Sequence, residues 1–126
     1  MKTVNIPEGY QQLMPYLIVE NAAAFIEFTQ KVFDATEKFK TMRDEHLIMH
    51  AELNIGESVI MLADVTDLYK KQTAAIFIYV DDCDAIYAKA LSNGATSQME
   101  PADQSYGRSA GVRDPFDVVW YITSND

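Results

Sequence analysis

The chain carries an internal repeat. Tyr16-Leu17-Ile18-Val19-Glu20-Asn21 runs into AAAFIEFTQKVFDA, and about 61 residues later Phe77-Ile78-Tyr79-Val80-Asp81-Asp82 runs into CDAIYAKALSNGA. Each copy reads as an apolar strand, an acidic or amide cap, an amphipathic helix and a turn closing on alanine. A repeat near half of 126 residues predicts two similar modules inside one domain, about 10–65 and about 74–124.

The first helix is expected over Ala22–Phe33. Asn21 can cap it, because its side-chain oxygen accepts a first-turn amide. Phe25, Phe28 and Val32 form one apolar stripe at helical spacing. The second helix is expected over Cys83–Leu91, capped by Asp81 or Asp82, with Cys83, Ile86, Tyr87 and Ala90 on its inner side. Asn93-Gly94 ends it, since glycine accepts the left-handed conformation past a helix C-terminus.

Elsewhere the period is two. Strands are expected at Leu13–Val19, Glu37–Met42, Leu47–Asn54 and Ser58–Ala63, then Ala74–Val80, Ala95–Glu100, Gly107–Arg113 and Val118–Thr123, with a polar connection over Asp64–Thr73. The order β-α-β-β-β occurs twice, and two halves sharing one curved sheet is the economical way to cover both. The class is α+β, built from tandem βαβββ modules with curved mixed sheets.

Alternation assigns the faces. Leu13, Leu17, Val19, Met49, Ala51, Leu53, Ile76, Ile78, Val80, Val118, Trp120 and Ile122 are expected on the dry side. A mixed face carries Met14, Tyr16, Ile18, His50, Glu52, Asn54, Phe77, Tyr79, Val119 and Tyr121. Aromatic walls with a few polar groups suit a small-molecule cavity. The same face could instead meet a second subunit or water.

Composition removes several functions. The net charge of −9 repels phosphate backbones and anionic membrane surfaces and attracts cations. No apolar run is long enough to span a bilayer. The opening MKTVNIPEGYQQ has no apolar export-signal core. A single cysteine, Cys83, excludes an internal disulfide and is expected to be a buried, inert thiol. A cytoplasmic location is the expectation.

The segments MHAELNIGESVIMLAD (Met49–Asp64) and YGRSAGVRDPFDVVWYIT (Tyr106–Thr123), with the duplicated β-α-β-β-β start, resemble the vicinal oxygen chelate superfamily of glyoxalases, bleomycin-resistance proteins and extradiol dioxygenases. Arg113-Asp114-Pro115-Phe116 resembles the turn before its final strand, although Asp117 and Val118 stand where glycine and a polar residue are frequent. The resemblance implies cup-shaped sheets, a site in each cup and a homodimer. In metal-dependent members four equivalent positions hold the ion. They map onto Met14, Glu52, Ala75 and Tyr121, of which Glu52 alone is a good ligand for a hard or borderline ion. No cofactor is therefore expected.

The leading expectation is metal-independent binding, including sequestration, of a small aromatic or cationic molecule by Tyr16, Glu52, Phe77, Tyr79 and Tyr121. The alternative is a metal-dependent glyoxalase-like lyase or isomerase, or a dioxygenase-type enzyme. In it His50 or Glu52 acts as base and a divalent ion sits on an atypical set of His46, His50 and Glu52. A third reading is an interaction protein with a filled cup. His50 and Glu52 share a face because they stand two apart on one strand; they suit a base and its orienting carboxylate, or simply a half-exposed polar strand.

Overall fold

A computed structural model describes residues 3–125, so Lys2 of the opening segment lies outside it. The first module comprises β1 (Tyr16–Val19), α1 (Ala22–Phe33), β2 (Thr36–Met42), β3 (Ile48–Ile55) and β4 (Ser58–Asp64). The second comprises β5 (Ala75–Tyr79), α2 (Cys83–Ser92), β6 (Thr96–Gln104), β7 (Gly107–Arg113) and β8 (Val119–Ser124). Each module builds its own four-stranded mixed sheet, ordered β1-β4-β3-β2 and β5-β8-β7-β6. This corrects the single shared sheet. The parallel pairs β1–β4 and β5–β8 place the first strand of each module at a sheet edge, and the described edges of the two sheets do not pair.

What unites the modules is apolar packing between helices and sheets. α1 lies on β1, β3 and β4, α2 lies on β6, β7 and β8, and the helices touch. Phe33 of α1 packs on Trp120 of β8 with ring centroids 4.5 Å apart. Phe116 meets Phe25 and Phe28 edge-on. Val118, Trp120 and Ile122 are buried as the alternation predicts, within one core cluster that spans both modules. Truncating an aromatic residue at such a site costs about 3–5 kcal/mol, so the modules stabilise each other.

Two buried carboxylates organise the backbone where the ladders break. Asp64 accepts the amide of Ala22 at 2.8 Å and that of Ile48 at 2.7 Å, tying the start of α1 to the start of β3. Asp114 accepts the amides of Phe116 and Val118 and the indole Nε1 of Trp120, each within 3.0 Å. The Arg-Asp-Pro-Phe turn is thus an anchor for the core tryptophan.

Several local expectations change. β1 starts at Tyr16 rather than Leu13, and Leu13 is exposed; Pro15 has no amide to donate to a ladder. Ile48, not Met49, enters the core. Thr41 pairs with His50 but Met42 with Ile48, so Met49 is the extra residue of a β-bulge and points outward. Ile18 is buried because Gln72 of the polar connection bridges back to it. Ile76, Ile78 and Val80 pack against the core only in part and line a cleft of about 650 Å³ beside α1 and β4. Asn21 and Asp82 cap the helices through the amides of Ala24 and Ala85. No helix among the described residues is long and apolar enough to cross a membrane.

Candidate functional site

The register places Tyr16, Met61, Glu52 and Phe39 in one row across the first sheet, because Tyr16 pairs with Met61, Met61 with Glu52 and Glu52 with Phe39. All four project from the face opposite the core. His50 lies two residues along β3 on the same side. From this geometry a connected polar group arises. The Tyr16 hydroxyl lies 2.9 Å from His50 Nδ1, and the two rings stack with centroids 5.5 Å apart. His50 Nε2 lies 2.8 Å from Glu52 Oε2. The Tyr10 hydroxyl donates to Glu52 Oε1 at 2.5 Å.

Proton positions follow from chemistry. Glu52 is only 7% exposed. Burial pushes its carboxyl up, but hydrogen bonds from Tyr10 and His50 and the nearby positive charge of Lys38 more than offset this, leaving it below the usual carboxylate range. An ionised carboxylate only accepts, so His50 carries its proton on Nε2. In the neutral ring Nδ1 is then a lone pair, and the Tyr16 hydroxyl donates to it. The Tyr16 phenol is itself held above its ordinary value, first by burial and then by the charge of Glu52.

Tyr10 is a site residue that strand alternation does not reveal. It sits at the end of a turn in which its amide bonds the Pro7 carbonyl at 3.2 Å, with Gly9 at φ 87°. Pro7-Glu8-Gly9 signals the turn, but nothing local says that the phenol reaches β3. The segment folds over the sheet and borders an open cavity of about 500 Å³. Ile6, Pro7, Met14 and Met61 form apolar walls, and among the described residues Glu52 supplies the only ionisable acid or base in the lining besides the phenol of Tyr10.

Phe77, Tyr79 and Tyr121 lie elsewhere, on the outer face of the second sheet. Phe77 pairs with Tyr121 in register and packs at 5.2 Å from Tyr79 and 6.2 Å from Tyr106. Gly111 leaves room beside the Tyr121 ring, since an added Cβ would stand 3.4 Å from it. Within one chain no hydrogen bond or ring contact joins these aromatics to Tyr16, His50 and Glu52. The mixed faces therefore form two separate groups in this chain rather than one lining.

The metal positions implied by the family resemblance also shift. The last strand of the first module is β4, and its residue in the row of Tyr16 is Met61, as Tyr121 of β8 lies in the row of Phe77. The first module's last-strand position thus falls on Met61, with Glu52 one strand away. Met14, Met61, Ala75 and Tyr121 provide two thioethers, a methyl group and a neutral phenol, a donor set that does not fit a hard or borderline divalent ion. His46 sits in the exposed 43–47 turn, with Glu45 3.9 Å away. Among the described residues no cluster of three or more His, Cys, Asp or Glu side chains is placed to hold an ion.

The family model described as Glyoxalase/Bleomycin resistance protein/Dioxygenase superfamily matches residues 9–122. An uncharacterized protein of Mycobacterium bovis is 34% identical over 122 residues, covering 87% of this chain and 80% of its own length. A gene product of Arabidopsis thaliana superposes with a TM-score of 0.74 at 23% identity, covering 90% of this chain and 98% of that one. The fosfomycin resistance protein FosX of Mesorhizobium loti superposes with a TM-score of 0.67 at 17% identity, covering 94% and 92%. At those identities the two structures speak for the fold alone.

Proposed function

We propose that this chain, which belongs to the Glyoxalase/Bleomycin resistance protein/Dioxygenase superfamily, binds a small aromatic or cationic molecule without a metal ion. The observation that carries this reading is the open 500 Å³ cavity beside residues 4–12, with apolar walls and the buried Glu52 carboxylate as the one charged group among the described lining residues. Among the described residues no lysine or arginine lines it, although Lys38 lies near Glu52, and the buried carboxylate disfavours an anionic ligand. An aromatic ammonium satisfies both parts of the lining, and the net charge of −9 draws it in.

The functional unit is a homodimer in the cytoplasm. Support for the dimer comes from the second sheet, where Phe77, Tyr79, Tyr106 and Tyr121 are exposed beside the unpaired outer edge of β5. A second copy covering that face would bring the aromatic residues into the binding unit.

A thermal-shift panel tests the reading. Aromatic amines, neutral aromatics and aromatic carboxylates are compared with and without zinc, nickel or manganese. A ligand at about 100 times its Kd stabilises by about 2.7 kcal/mol. Amines should raise the melting point without metal, and Glu52→Gln should abolish the preference. Tyr79→Ala and Tyr121→Ala should weaken binding by the assembled protein. Stabilisation that needs an added ion would overturn the metal-free reading.

A further inference from the structure

We propose that Tyr16 is a base-activated nucleophile, with His50 as its base and Glu52 as the group that orients His50, and that it attacks electrophilic carbonyl or sulfonyl centres. Binding alone does not require this activity. The observations are geometric. Glu52, buried and ionised, fixes the His50 tautomer through Nε2 and leaves the Nδ1 lone pair facing the Tyr16 hydroxyl at 2.9 Å. Stacking of the two rings holds that approach. The same division of labour, a weakly acidic hydroxyl, an imidazole and a buried carboxylate, activates nucleophiles in acyl transfer. Tyr16 is 46% exposed, so an electrophile can reach its oxygen. The second anchor on Glu52, the Tyr10 hydroxyl, holds the carboxylate in place without competing for His50.

The step is a substitution. The Tyr16 oxygen forms a bond to the acyl carbon or the sulfonyl sulfur. The phenolic proton passes to His50 Nδ1, giving an imidazolium between Tyr16 and Glu52. The bond to the leaving group breaks, and that group departs with the electron pair. For benzenesulfonyl fluoride the products are the Tyr16 sulfonate ester and fluoride, and His50 returns its proton to water.

The protein contains its own control. Tyr69 is more exposed than Tyr16, at 58%, and among the described residues its phenol has no hydrogen-bond partner. Intact protein is treated with benzenesulfonyl fluoride near neutral pH, and adducts are mapped and timed by peptide mass spectrometry. A positioned general base contributes roughly 100-fold or more, so Tyr16 should be modified at least about tenfold faster than Tyr69. His50→Gln should bring Tyr16 down to the Tyr69 rate, with circular dichroism and the Tyr69 rate unchanged. Glu52→Gln should give an intermediate rate. Equal labelling of Tyr16 and Tyr69 in the parent protein refutes the proposal without recourse to any variant. Fast labelling of Tyr16 that persists in folded His50→Gln refutes it as well.

Discussion

Asp114→Asn is a change of one atom that tests how the second module is held. In the parent, one carboxylate oxygen accepts the amides of Phe116 and Val118 at 2.8 and 3.0 Å, and the other accepts the Trp120 indole at 2.8 Å. The amide side chain keeps one acceptor. It can serve the two backbone amides, but its NH2 then faces the indole N–H, donor against donor. A buried donor left unpaired costs about 1–3 kcal/mol, and Trp120 is 1% exposed. Loss of a buried charge offsets a part, because burial holds the Asp114 carboxyl above its ordinary value while the Trp120, Val118 and Phe116 hydrogen bonds pull it down. A net loss of about 2 kcal/mol is expected, lowering Tm by roughly 6–10 °C in a chain of this size. Trp120 is the only tryptophan, so urea unfolding followed by its fluorescence reads the site directly. A raised folded-state value favours folding below the ordinary carboxylate pKa, and that help fades as the pH rises through it. The gap between parent and variant should therefore widen toward acid. A variant as stable as the parent at pH 7 would show that relief of charge burial outweighs the lost acceptor.

The Glu52 carboxyl is shifted the other way, so its contribution is complete above the usual carboxylate range and lost as the pH falls through its folded-state value. Hydrogen exchange over residues 4–12, corrected for intrinsic rates, should accelerate in that acid window in the parent and be insensitive to it in Glu52→Gln. Gly107→Ala should cost about 2–3 kcal/mol in chemical denaturation, because φ is 131° and the new Cβ would stand 2.5 Å from the Ser124 carbonyl oxygen. Cys83 donates its thiol to the Ile122 carbonyl at 3.3 Å, and burial and Asp84 push its pKa up. Native protein should resist iodoacetamide at pH 8 and react only in denaturant.

Where a feature depended on neighbours in the chain, it was legible. The Phe25, Phe28 and Val32 stripe, the Asn21 cap, and the dry face of Val118, Trp120 and Ile122 all follow from periodicity and capping chemistry. His50 and Glu52 could be placed on one face because two-residue spacing on a strand requires it. Their partners could not be read that way. Tyr16 reaches His50 across β4, and Tyr10 reaches Glu52 over 42 positions. Such contacts are set by register and chain path, for which single residues carry no signal.

The bulge at Met49 shows the boundary between the two kinds of information. Alternation counted from Leu53 puts Met49 inside, and the ladder obeys that count only as far as His50. Asp64 then takes the Ile48 amide, and Ile48 turns into the core instead. Sequence alone determined the two modules, their helices, their caps and the apolar faces of α1 and β8, because these arise from backbone geometry and water exclusion acting over a few residues. Tertiary structure alone decided that the modules keep separate sheets, that residues 4–12 border the Glu52 cavity, and that a phenol, an imidazole and a carboxylate meet. Those outcomes depend on which buried polar groups find partners across the fold, a competition settled only when the whole chain has packed.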